Sequence, residues 1–178
     1  MTENEERGPE KSKSEEVLDY LKQKKSGHRI VDVEEEQVQV IIFQLMGELF
    51  GIYSSDAKEV LEVEKITPVP GCPEFIAGIV NIRGDVESVI DLNRFFQLPP
   101  EAETARTKVV IAQSREICSG IRVASIEDVL EIPKSSVRQP LNTLGENIRP
   151  YVLGETLYLG KNVTMLDMGR IFEKIMAE

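Results

Sequence analysis

The sequence predicts a mainly β protein: two small five-stranded barrels arising from an internal duplication, with short helical turns and a helix at the C-terminal end. Three observations carry this. Short runs rich in β-branched residues recur between Gly, Pro, Asn and Asp turns, as in small barrels. The 178-residue chain also repeats itself, because Gly51-Ile52 followed by Val60-Leu61-Glu62-Val63 returns as Gly120-Ile121 followed by Val129-Leu130-Glu131-Ile132, an offset of 69. Finally, Gly78, Gly84, Asp91, Leu92 and Phe95 return as Gly154, Gly160, Asp167, Met168 and Ile171, an offset of 76. The difference of 76 − 69 = 7 residues falls in the polar stretch between Pro133 and Pro150, where insertions cost little.

Residues 1–36 are rich in Glu, Lys and Ser, and within them Ser14 to Lys25 alone has a helical rhythm, with Val17, Leu18 and Leu21 on one side. This acidic extension is expected to be mostly disordered apart from a short helix over 14–25, either solvated or a docking element. From Gln37 the character changes. Val38 to Leu45 is a strand by its β-branched content, Met46-Gly47-Glu48 a turn, and Leu49 to Ile52 the returning strand. Residues 37–178 form the folded domain, with lobes at about 37–100 and 105–170. The polar, proline-bearing run Leu98 to Thr104 joins them, since it cannot continue a central strand. Pockets favour such seams, so the seam is the default place for a ligand.

In the central stretch, Pro73 suits a first helical position and Gly78 a left-handed stop, which predicts a helical turn over Pro73 to Ala77 burying Phe75 and Ile76. A strand from Ile79 to Arg83 follows, then a turn at Gly84-Asp85. The second strand sets Val86, Ser88 and Ile90 on one face and Val89 on the other. Asp91 is placed to cap a short helix from Leu92 to Phe96.

Composition excludes several functions. A net charge of −10 and a pI near 4.8, with no basic stripe interleaved with aromatics, argue against nucleic acid. The opening Met1 to Glu6 is acidic where a signal peptide is basic then apolar, and no apolar run is long enough to span a bilayer, so a cytoplasmic location is expected. Cys72 and Cys118, the two cysteines, propose neither a disulfide framework nor a metal site and are expected as buried small hydrophobes. Gly154 to Asn162 looks like a phosphate loop, but five residues separate its glycines and Asn162 follows the lysine, leaving no hydroxyl for magnesium. The first copy repeats the gap, Gly78 to Gly84, without any lysine, as turn glycines of a duplicated hairpin should. His28, the single histidine, has no nucleophile or acid beside it. No catalytic set, metal or cofactor is expected.

Differences between the copies point to a site. Arg83 is matched by Leu159 and Asn81 by Leu157, so the hairpin scaffold by itself requires neither polar residue. Beside Ile79, Val80 and Ile82, Arg83 suits an interface hot spot, the alternative being a plain exposed turn residue. Glu59 is matched by Asp128, which leaves scaffold and site readings equally open for it.

With these residues assembled, the chain resembles the CheW family, the coupling proteins of bacterial and archaeal chemosensory arrays. The resemblance rests on Phe50-Gly51-Ile52, Glu59-Val60, Pro73 to Gly78, Asn81-Ile82-Arg83-Gly84, Val89 to Leu92, Gly120-Ile121 through Val129, and Tyr151 to Gly154, and covers about Val38 to Met176. It implies two SH3-like five-stranded barrels and no catalysis. Members of the family bridge the cytoplasmic tip of a chemoreceptor to the regulatory domain of a CheA-type histidine kinase. The receptor's helical hairpin lies in the groove between lobes, and the kinase domain docks barrel end to barrel end, using loops of the first barrel. The resemblance puts Arg83 on the receptor-interface arginine, Glu59 and Val60 on the same face, and Asn81, Ile82 and Gly84 beside it, with recruitment to membrane-associated receptor arrays. Tyr53-Ser54-Ser55, Ala57 and Ala124-Ser125 depart from the family pattern, which points to a divergent paralogue in a non-flagellar pathway as one alternative. A small-molecule module at the seam is the alternative from a different class. With no phospho-accepting histidine helix, ATP lid or receiver pocket in view, a free adaptor is the expected form.

Overall fold

The apolar run in the first strand, β1 (Gln37–Leu45), has side chains buried on both faces: Val40, Ile41, Ile42 and Phe43 are each 5% exposed or less. A strand normally alternates between core and solvent, so a run buried on both sides needs two separate cores. It has them. Val40 and Ile42 pack inside their own curled sheet with Leu49, Val163 and Met165, whereas Ile41 and Phe43 join a larger core between the two sheets.

The computed structural model describes residues 35–100, 106–140 and 144–177, and the expected helix over 14–25 lies outside them. After β1 come β2 (Glu48–Tyr53), a 3₁₀ turn (Ser54–Asp56), β3 (Ala57–Val63), β4 (Ile76–Ile82), β5 (Asp85–Asp91) and α1 (Leu92–Phe95). The second half supplies β6 (Thr107–Ser114), β7 (Ile117–Val123), β8 (Ser125–Pro133), β9 (Val152–Tyr158), β10 (Lys161–Leu166) and α2 (Met168–Met176). Two five-stranded sheets result, in the orders β8-β1-β2-β10-β9 and β3-β6-β7-β5-β4. These are the two SH3-like lobes.

The lobes nevertheless do not follow the halves of the chain. Replacing each strand by its counterpart five positions along converts one order into the other, so the duplication is present, but each sheet mixes the copies. The hairpin β1–β2 sits between β8 and β10, pairing in parallel with β10 through Leu49↔Val163, and β6–β7 reciprocally pairs in parallel with β5 through Val89↔Gly120. A division at about 100–105 therefore cuts through both sheets. The exchange gives β1 its two apolar neighbourhoods, and it ties the copies together through one shared core.

Local chemistry behaves largely as its residues suggest. Asp91 Oδ1 accepts from the backbone N–H groups of Asn93 and Arg94 (3.0 and 3.3 Å), and Asp167 Oδ1 from that of Arg170 (3.0 Å), so the matched aspartates cap matched helices. The stretch after Pro73 makes a single turn, closed by Ile76 N–H to Pro73 C=O at 2.9 Å, and buries Phe75. Ile76 and Ala77 already belong to β4, and Gly78 is not a helix stop but a strand residue pressed against the Thr67 carbonyl. The hairpin turn is Arg83-Gly84, both with positive φ (54° and 100°), one residue earlier than expected. Cys72 is exposed and Cys118 half-buried, so neither is the buried hydrophobe expected; prolines hold the Cys72 segment in a surface connection.

Asp56, in the 3₁₀ turn, has its pKa raised by burial and by the nearby Asp167 carboxylate. A folded-state pKa above the unfolded value means that folding retains a proton there, so the Asp56 contribution is most favourable in acid and is lost as pH rises through the carboxylate range. Asp56→Asn is expected to melt at a higher temperature than wild type at neutral pH, with the gap closing below about pH 4. Parallel melting curves across pH measure it, and a constant gap at all pH values would contradict the assignment.

Candidate protein-docking site

The β4–β5 hairpin and β3 lie at opposite ends of the sheet order, yet their side chains meet because the sheet curls. Arg83 Nη2 lies 3.0 Å from Glu59 Oε2, a pair that joins the two edges of the barrel. The left-handed turn projects Arg83 outward, leaving its side chain 78% exposed against 29% for Glu59. The turn is itself braced, since Asn81 Oδ1 accepts from the Gly84 N–H at 3.0 Å. Beneath the pair is a depression of about 130 Å³, walled by Lys58, Ile82, Asp85, Glu87, Ile111 and Cys118. Burial and the Glu87 carboxylate push the Cys118 thiol pKa up, so it stays neutral there.

Of the six expected residues, Glu59, Ile82 and Arg83 come together around this depression, and Asn81 and Gly84 shape the turn above it. Val60 does not join them. It follows Glu59 on β3, so it points to the other side of the strand, where it is 41% exposed. Lys58, Ile111, Cys118 and Glu87 carry no motif in the sequence. Lys58 reaches the depression through a bulge between Ala57 and Glu59, Ile111 and Cys118 through the β6–β7 pairing, and Glu87 from β5.

The other lobe closes in a related way. Tyr158 donates its hydroxyl to Asp128 Oδ2 at 3.0 Å, again linking the two edge strands, β9 and β8. Glu59 and Asp128 are counterparts in the duplication, so both lobes are clasped at one acid, by Arg83 in one and by Tyr158 in the other. Arg83 thus has a structural duty that its match to Leu159 concealed. Leu159 keeps the turn conformation at φ 49° but is 84% exposed and clasps nothing.

The seam between the sheets is filled by the shared core and by an aromatic cluster in which Phe95 and Tyr151 have ring centroids 5.0 Å apart. What remains open there is a polar recess of about 370 Å³ flanked by Arg94, Glu146 and Lys174. Gly160 sits in the tight β9–β10 turn with φ 77°, and Gly154 is a strand residue, so the glycine pair forms a hairpin and not an anion cradle. Among the described residues no group of three or more His, Cys, Asp and Glu could hold a metal, and no helix is long and apolar enough to cross a membrane.

Comparison with known proteins agrees with this architecture. The family model described as "CheW-like domain" matches residues 39–176. The chain is 26% identical to the chemotaxis protein CheW of Treponema pallidum over 144 residues, covering 79% of this chain and 85% of the relative. It is 32% identical to CheW of Bacillus subtilis over 99 residues, 56% of this chain and 64% of the relative. Among solved structures, the scaffolding protein TtCheW from Thermoanaerobacter tengcongensis superposes with a TM-score of 0.69 at 27% identity, covering 78% of this chain and 94% of that one. With two matched lobes, the exchanged hairpins and this family match over most of its length, the chain belongs to the CheW-like domain family.

Proposed function

We propose that this protein is a non-catalytic adaptor that couples chemoreceptor signalling tips to the regulatory domain of a CheA-type histidine kinase in the cytoplasm, at membrane-associated receptor arrays. The observation that carries the reading is the exposed Arg83, its guanidinium held 3.0 Å from Glu59 on a braced turn. A charged fork already oriented loses little freedom when it meets a carboxylate or a helix end on a partner. Glu59, Ile82, Asn81 and Gly84 complete the receptor face around it. Val60, on the opposite side of β3 from Glu59, stands apart from this cluster.

Calorimetric titration with a soluble receptor signalling-tip fragment tests this. Wild type is expected to bind in the micromolar range, and Arg83→Ala to bind at least tenfold more weakly, about 1.4 kcal/mol. The same substitution removes an exposed ion pair worth no more than about 1 kcal/mol of stability, so the variant remains folded. Equal binding by wild type and variant, or none by wild type, would remove Arg83 from the receptor face.

A further inference from the structure

A second recess, of about 400 Å³, lies behind the β3–β4 connection and shares no residue with the Arg83 depression. Three cations from three elements line it: Lys65 from the connection, Arg94 from α1 and Arg122 from β7. One acid, Glu64, shares the wall. In a chain of net charge −10 this is a local reversal of sign.

The acid beside two of these cations does not fully neutralise them. Asp91, 5% exposed, stands 3.7 Å from both Arg94 Nε and Arg122 Nη1, and its Oδ1 is occupied by the start of α1. One carboxylate therefore serves two guanidiniums, each beyond hydrogen-bond length. The Arg122 side chain is only 17% exposed and has no hydrogen bond among the described residues. A guanidinium has five donors, and leaving them unmet in a sheltered site is costly unless something else accepts them. Arg122 lines the recess, which is the space from which an acceptor can reach its guanidinium.

The fold does not ask for Arg122. In the other copy Arg170 pairs with Asp167 at 3.3 Å, as Arg94 does with Asp91, but the position matching Arg122 is Tyr53 (122 − 69 = 53). The added guanidinium belongs to one lobe alone. We infer that this recess binds a small molecule through an oxyanion, a phosphate or carboxylate group held between Arg122 and Arg94, with Lys65 as the third charge. Planar guanidinium forks match the geometry of such groups, and the volume lies within the range of small-molecule sites. This site does not depend on the adaptor role.

Calorimetric titration and melting of the full chain with inorganic phosphate and with succinate, against sodium chloride at matched ionic strength, tests the site and separates the two chemistries. One of the anions is expected to bind saturably, with a dissociation constant of about 1 mM or lower, and to raise the melting temperature. Arg122→Gln should weaken it about tenfold or more and Lys65→Gln by a smaller factor, while Arg170→Gln, at the matching place in the other copy, leaves it unchanged. Lys65 is exposed and in no ion pair among the described residues, so Lys65→Gln carries the test even if Arg122→Gln fails to fold. No saturable response to either anion, or a response equal in wild type and Lys65→Gln, overturns the inference.

Discussion

Phe96→Ala is expected to lower the unfolding free energy by about 3–5 kcal/mol while leaving a single transition for both lobes. Phe96 is fully buried, follows α1, and packs its ring 5.4 Å from Phe95 and 5.9 Å from Tyr151, the latter from the second copy. It belongs to the same core as Phe43 and Phe50 of one sheet and Val110 and Ile121 of the other. Truncation removes a whole aromatic ring from a close-packed core and leaves a cavity that the surrounding side chains fill only in part. Because the exchanged hairpins and this core are common to both sheets, neither lobe has a complete interior to fold around alone. Urea denaturation followed by circular dichroism should show a lower midpoint with an unchanged slope. Two separated transitions in the variant would refute the shared core.

Gly78→Ala is expected to cost about 3 kcal/mol or more, well above Gly84→Ala. At Gly78 a β-carbon would stand 2.2 Å from the Thr67 carbonyl oxygen and 2.7 Å from its carbon, and φ is +145°. Backbone, not a movable side chain, occupies the space. The chain would have to separate there, losing the reciprocal Thr67–Ile79 hydrogen bonds of 2.9 and 2.8 Å, at about 1 kcal/mol each, besides the strain of the unfavourable φ. Gly84 has positive φ as well, but nothing lies within 4 Å of its added carbon, so only backbone strain of about 1 kcal/mol remains. Melting the two variants side by side measures the difference. Equal losses would mean that the close approach to Thr67 is not what the glycine serves. Since β4 leads into Asn81 and Ile82, a displaced β4 would also disturb the Glu59–Arg83 clasp.

The candidate site was legible where its chemistry is local. Asn81, Arg83 and Gly84 fall within one hairpin, and Asn81 and Arg83 stand out against Leu157 and Leu159 of the matching copy, while Gly84 is kept there as Gly160. Glu59 was legible as an acid with an acidic counterpart, but its partner lies 24 residues away, and nothing in either segment announces the pair. The resemblance grouped Val60 with Glu59 on one face, whereas consecutive residues of a strand point to opposite sides of it. Cys118 and Ile111 entered the depression only through strand pairing.

By itself the sequence determined the duplication, the strands and the capping aspartates, because these depend on residues a few positions apart: alternation of apolar side chains, turn glycines, and an oxygen three residues before the donor it satisfies. Tertiary structure alone decided how the copies share their strands. The two hairpins β1–β2 and β6–β7 offer equivalent backbone edges, so local pairing rules cannot say whether each completes its own copy or the other. That choice is made by burial of two-faced strands such as β1, which need a core on each side. The same long-range packing brings Arg122 of one half to Asp91 of the other and creates the cationic recess that no run of residues displays.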